Sequence, residues 1–159
     1  MHVTARVDYA VRALVELAAR EAAAGAPVPV PAEQLATAQE LPVGFLRGIL
    51  ADLRRAGLIA SQQGTAGGFR LARAADGLSL AEVIRAVEGP IAQVRGLPPH
   101  ELEYPGTAAP LRDVWVAVRA NLRAVLDHTT VADVASGHLP EVVTDLVSDP
   151  AAWEARPRA

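Results

Sequence analysis

The sequence predicts a mainly α-helical fold carrying one small β-hairpin. Three observations support this. Apolar residues recur at three- and four-residue spacing through most of the 159-residue chain. A glycine-rich segment, QQGTAGGFRLAR, breaks that period once, with short strand-like runs on either side. Near the C-terminal end, LRDVWVAVRANLRAVLDHTT repeats its apolar residues at spacings of 4, 3, 4, 3 and 4.

The first helix is expected over residues 4–21, where Val7, Ala10, Val11, Leu14, Leu17 and Ala18 make one apolar stripe. GAPVPVP, residues 25–31, ends it. Its prolines lack the amide donors a helix needs but suit an extended edge, and Pro31 suits the first turn of a second helix over residues 31–39, with Leu35 and Ala38 inward. After the turn ELP, a third helix starts at Pro42 and runs through VGFLRGILADLRRAG. Phe45, Leu46, Ile49, Leu50 and Leu53 are read as its inward face and Gly57 as its stop. Two short helices across a tight turn, the second with arginines off its apolar face, form either a helix-turn-helix or an ordinary helical hairpin.

Residues 58–63 and 68–73 are two strands joined through GTAG. Gly64, Gly67 and Gly68 can adopt positive φ without a Cβ penalty, so the loop can be tight, and Phe69 and Leu71 share one face while Arg70 points to the other. A plain hairpin would use its glycines only for the turn. A helix-turn-helix followed at once by such a hairpin is a winged helix-turn-helix, whose glycines admit the backbone to phosphate or minor groove. Gln63 and Thr65 would then offer hydrogen bonds and the arginines charge.

DGLSLAEVIRAVEGP reads as a fourth helix, with Ser79 and Glu82 in capping-box relation, Leu80, Val83, Ile84 and Val87 as its apolar face, and Gly89-Pro90 as its terminator. Four prolines and no sustained period make residues 91–110 a linker. The long helix beyond it carries a seam of Leu111, Trp115, Val118, Leu122, Val125 and Thr129, broadened by Val114 and Leu126. Such a stripe can be ordinary core packing. In a chain with little other mass to cover it, pairing with the same helix of a second subunit is favoured, giving a two-fold dimer. Thr130 and Asp133 repeat the capping pattern before VADVA, which ends at Gly137, and Val142, Val143, Leu146 and Val147 suggest a last helical segment. The expected division is a winged helix-turn-helix domain over 1–90, a linker or sensor loop over 91–110, a dimerisation helix with short helices over 111–147 and a loose tail over 148–159, where Trp153 could dock.

Composition narrows the function. No cysteine is present, which removes disulfides, thiol catalysis, zinc ribbons and all-thiolate clusters together. All fifteen basic residues are arginine. Net charge is −3, yet residues 1–75 hold eight arginines against six acids and residues 76–159 seven against twelve. A basic half before an acidic half suits a nucleic-acid-facing domain with a separate body. No uncharged apolar stretch approaches the roughly 20 residues of a membrane-spanning helix. The N-terminal MHVTARVDYAVRAL is charged where a signal peptide would be apolar, so a cytoplasmic protein without membrane contact is expected. Catalysis has no support: no nucleophile beside a base, no paired carboxylates and no phosphate loop occur.

Four segments in this order, TARVDYAVRALVELA, LRRAGLIASQQGTAGGFRLAR, LSLAEVIRAVEGP and TTVADV, resemble the Rrf2 family of bacterial transcription regulators. The resemblance runs from the first residue to about Leu146 and implies a homodimer that binds an inverted-repeat operator on double-stranded DNA, usually as a repressor. It places a reading helix at Val43, Gly44, Phe45, Arg47 and Gly48, a wing at Gln63, Gly64, Thr65, Ala66, Gly67 and Gly68, and phosphate contacts near Thr4 and Arg6, while Arg54 and Arg70 are added as expected DNA contacts for their charge beside the helix and wing. Gln63 stands where the family often has arginine, and Asp8 where a basic residue is common; both lower the expected phosphate affinity. Many members hold an iron–sulfur cluster through three cysteines between the fourth and dimerisation helices. That stretch is cysteine-free here, and His100, Glu101 and Glu103 are read as solvated surface, so no cofactor is expected. Some cluster-free relatives resemble regulators of cysteine metabolism that answer to a partner enzyme. A partner enzyme and a small effector are therefore the two kinds of signal left, and the rival to direct operator reading is a winged-helix protein-interaction module acting through such an enzyme.

Overall fold

A computed structural model describes residues 2–154. Helix α1 (Ala5–Ala24) begins at Thr4, whose hydroxyl accepts the Val7 amide at 3.2 Å. It passes the expected end at residue 21 because Ala22, Ala23 and Ala24 are strong helix formers, and it stops where Gly25 turns left-handed. Helices α2 (Ala32–Ala38) and α3 (Val43–Arg55) follow. Pro31 and Pro42 cap them from just outside rather than occupying the first turn, because their extended ψ angles aim the chain into each helix. Leu35 faces inward as expected, together with Ala32 and Ala36, but Ala38 is exposed.

Leu14, Leu17, Leu35, Leu46, Ile49, Leu50 and Leu53 from these three helices form one core. Full burial of a leucine contributes about 2 kcal/mol of transfer free energy, so this cluster is the main device holding α3 in place. Strands β1 (Ile59–Gln62) and β2 (Gly68–Leu71) pair antiparallel, Ile59 opposite Leu71 and Gln62 opposite Gly68. Both are shorter than expected, although the Leu58 carbonyl still accepts the Ala72 amide at 3.1 Å. The proline-rich edge before α2 joins them: Val30 and Phe69 exchange two backbone hydrogen bonds of 2.8 Å, which anchors the hairpin to the core.

Helix α4 (Leu80–Glu88) starts at a complete capping box of Ser79 and Glu82, and helix α6 (Val131–Ser136) at one of Thr130 and Asp133. The two caps bridge each other: Leu80 donates to the Thr129 carbonyl at 2.9 Å and Val131 to the Leu78 carbonyl at 2.8 Å. Val131 is fully buried with Leu14 and Leu78, so α6 packs into the core of the N-terminal region although the expected division grouped it with the dimerisation helix. Thr129 leaves the seam for the same reason; it is buried in this junction and bonds the Val125 carbonyl.

Helix α5 (Leu111–Leu126) has no buried residue in the single chain. Leu111 and Val114 are exposed, whereas Trp115 and Val118 turn toward Ala92, Val94 and Pro99 of the linker around a cavity of about 230 Å³. Part of the predicted seam is thus covered from within. The linker is ordered by buried Pro99 and Leu102 and by paired backbone between Val94 and Leu97. Helix α7 (Glu141–Ser148) follows, and the expected tail begins as a helical turn in which the Trp153 indole donates to the Val147 carbonyl at 2.8 Å. The rest of that expected tail, residues 155–159, lies outside the described residues.

Glu82 gives the fold an acid-sensitive element. Burial alone would raise its pKa, but the Arg73 guanidinium at 2.5 Å and the Ser79 amide hold it below the ordinary carboxylate value. A depressed folded pKa means stabilisation that is present above the unfolded value of about 4.3 and lost as pH falls through the folded one. Cap and ion pair together should contribute about 1 kcal/mol at this partly exposed site. Thermal melts between about pH 7 and pH 3 should show Glu82→Gln flattening that acid loss, since the amide keeps the cap geometry without the titration.

Candidate nucleic-acid interface

The inward residues of α3 leave its other side to solvent. Val43, Gly44, Arg47 and Gly48 occupy adjacent positions on that side and all are exposed. Phe45, expected inward, is 45% exposed, because at about 100° per residue it lies well around the helix from Leu46. It meets Tyr9 of α1 edge to face, ring centres 5.7 Å apart, and forms the rim of the exposed row.

Gly44 and Gly48 are informative. A Cβ at either would meet nothing within 4 Å, so the packing of the chain does not require glycine. Mid-helix glycine costs roughly 0.5–1 kcal/mol relative to alanine. Gly48 in the interior of α3 and Gly44 in its first turn, both on the exposed side and one turn apart, suit a surface that another molecule approaches at backbone distance. Gly48→Ala should therefore raise the melting temperature by about 2–4 °C while weakening duplex binding by about fivefold or more. Parallel melts and anisotropy titrations check the opposite signs.

Two of the four arginines expected to contact DNA, Arg6 and Arg47, are already in ion pairs. Arg47 pairs with Glu33 of α2 at 2.5 Å, both side chains well exposed, and its hydrogen bond holds the Glu33 carboxyl below the ordinary value. Arg6 is turned inward, paired with Asp52 of α3 and donating to the Val87 carbonyl of α4 at 3.2 Å, so it joins three helices. Arg55 shares Asp52, and Thr4 donates to Glu88 at 2.8 Å while capping α1. Asp8 is offset by Arg12 at 3.5 Å. Arg54 and Arg70 make no ion pair among the described residues; Arg54 reaches the Ser61 hydroxyl at 3.4 Å and Arg70 the Leu71 carbonyl at 3.3 Å. The sequence did not reveal Glu33 as the partner of Arg47, since the contact forms only when the turn brings α2 beside α3.

At the hairpin tip, Gln63, Gly64, Thr65 and Ala66 are exposed. Only Gly64 of the three wing glycines has positive φ, 104°. Gly67 and Gly68 are needed for a different reason: a Cβ on Gly67 would lie 2.5 Å from the Gln62 carbonyl oxygen, and one on Gly68 would lie 2.4 Å from the Val30 carbonyl carbon. Close backbone approach, not handedness, selects glycine there.

Comparison with known proteins agrees with this geometry. The family described as an iron-dependent transcriptional regulator, Rrf2, matches residues 3–137. A Mycobacterium tuberculosis protein named as an HTH-type transcriptional regulator is 46% identical over 97% of this chain and 93% of its own length. CymR of Bacillus subtilis, described as the global cysteine regulator, superposes with a TM-score of 0.71 at 30% identity over 86% of this chain and 98% of that one. T. potens IscR gives 0.66 at 27% identity, covering 99% and 94%.

Iron does not suit the donor set here. There is no cysteine in the chain, and no group of three potential ligands stands together among the described residues. His100 in the linker has its Nδ1 3.0 Å from an Arg119 nitrogen, and a guanidinium there opposes a cation. With helix-turn-helix, wing and the match over most of its length in agreement, this chain belongs to the Rrf2 family of winged helix-turn-helix, DNA-binding transcription regulators, which are not enzymes.

Proposed function

We propose that the protein is a sequence-specific repressor that binds an inverted-repeat operator as a homodimer paired along α5, without a metal cluster. The observation that carries this reading is the exposed row Val43, Gly44, Arg47 and Gly48 beside a wing whose tip is open to solvent. The row would enter the major groove, Arg47 exchanging Glu33 for base or phosphate, while Gln63 to Gly68 lie along the backbone or minor groove with Arg54 and Arg70 supplying charge. Pairing is supported by the helix α5 itself, unburied in one chain, and by the exposed apolar residues Leu111, Val114, Leu146 and Val147. In this reading Leu111, Leu122 and Val125 are the seam, with Trp115 and Val118 behind it.

Anisotropy titrations of the purified protein on its own upstream region, over a range of salt, test the reading. Three arginines per chain in a dimer give about six phosphate contacts and a slope of log affinity against log salt near −5. Affinity independent of salt, or equal for operator and random duplex, would favour the interaction-module alternative instead. Sedimentation at micromolar concentration should give a dimer, and a monomer would remove the inverted-repeat requirement.

A further inference from the structure

We propose that the cleft between α4, the linker and α5 binds a small anion, a carboxylate or a phosphate compound, and that its occupancy adjusts operator affinity. Arg85 of α4 and Arg119 and Arg123 of α5 line one concave site of about 410 Å³ together with His100. Its remaining wall includes Pro90 and Ile91. That volume lies within the range of about 300–1,000 Å³ usual for small-molecule sites, and a mostly apolar wall with a few convergent polar groups is their usual chemistry.

Charge selects the class of ligand. Three guanidiniums face the cleft, and one carboxylate, Asp127, pairs with Arg85 at 2.9 Å. Arg119 contacts His100 Nδ1 at 3.0 Å, and Glu101 stands beyond the ring, 3.6 Å from Nε2. Arg123 has no ion pair or side-chain hydrogen bond among the described residues. Planar guanidiniums from two helices, incompletely neutralised, are the arrangement that recognises carboxylate or phosphate through paired hydrogen bonds. The adjoining linker is held in costly backbone, Ala92 and Arg95 both having φ in the left-handed region (57° and 54°), and Arg95 is fixed over the Tyr104 ring at 5.3 Å.

A route from this cleft to the DNA face runs through α4. Arg85 lies on α4, the Val87 carbonyl of α4 accepts from Arg6, and Arg6 pairs with Asp52 of α3. An anion that draws Arg85 toward α5 would bias that linkage. Only this regulatory part rests on the DNA-binding reading; anion binding does not.

Calorimetry on the full-length protein with orthophosphate and, separately, succinate tests the site, with sodium chloride at matched ionic strength as the control. One saturable site per chain is expected for at least one probe, weakened tenfold or more by Arg119→Ala with Arg123→Ala and by Arg123→Ala alone to a lesser degree, and retained by Arg112→Ala on the same helix. Melting curves identify any variant that has lost its fold, and the single Arg123→Ala change removes no side-chain hydrogen bond or ion pair among the described residues. Binding of orthophosphate alone assigns a phosphate compound, and of succinate alone a carboxylate. Absence of saturable binding by both, or binding unaffected in the double variant, overturns the proposal. Operator affinity measured with and without the bound anion separates the two readings. No operator binding in either state refutes the DNA reading and leaves the site, whereas unchanged operator affinity at saturation overturns the regulatory part.

Discussion

Gly68→Ala is expected to lower stability by about 3 kcal/mol and, with it, the melting temperature by about 6–12 °C. The Cβ it adds would fall 2.4 Å from the Val30 carbonyl carbon, 2.6 Å from its oxygen and 2.7 Å from the Pro31 nitrogen. All three are backbone atoms, so no side chain can swing aside. Relief requires β2 to move off the Val30 edge, which breaks both 2.8 Å hydrogen bonds between Val30 and Phe69 and loosens a valine buried in the core. Lost hydrogen bonds of about 1 kcal/mol each and overpacking of about 1–3 kcal/mol account for the size. Gly64→Ala is the informative comparison: its φ of 104° disfavours alanine, but nothing lies within 4 Å of the new atom, so only a conformational cost of about 1 kcal/mol remains. Thermal melts of the two variants check the order, and a Gly68→Ala protein melting within about 2 °C of wild type would show that this contact is not maintained.

Arg47→Ala should weaken operator binding by about tenfold to a hundredfold while leaving the melting temperature nearly unchanged. The side chain is 64% exposed and its partner Glu33 61%, and an exposed ion pair contributes little to folding. At the centre of the exposed row, the same guanidinium has no protein neighbour to satisfy beyond that carboxylate. Glu33→Gln should act in the opposite direction, since it removes an acid that competes with phosphate for Arg47 and repels the duplex. Anisotropy titrations of both variants at one salt concentration decide this; equal affinities for Arg47→Ala and wild type would take α3 out of the reading role.

Much of the architecture was legible in the residues. Helical stripes such as Leu46, Ile49, Leu50 and Leu53, and caps such as Ser79 with Glu82, are local patterns, and their outcome depends on three or four neighbours in the chain. The proline-rich edge was legible as extended chain, although not its partner Phe69. Misplaced residues sat at the margins of such patterns: Phe45 and Ala38 lie where a stripe fades, and a one-residue step around a helix exchanges core for solvent.

Less of the site was legible. The rows of residues on α3 and the wing could be named from their pattern, but their electrostatic state could not, because Arg47 with Glu33 and Arg6 with Asp52 are pairs far apart in sequence. The arginine cleft shows the same dependence, drawing Arg85 and Arg119 from helices separated by a proline-rich loop.

The chain by itself determined the helical class, the glycine-marked hairpin and the absence of thiolate chemistry, since periodicity, backbone freedom and composition are properties of neighbouring residues or of none. Tertiary structure alone decided which arginines remain available to a duplex, why Gly67 and Gly68 must be glycine, and that α6 joins the core. Each of those depends on distances between segments, which are fixed only when burial of the shared core brings them together.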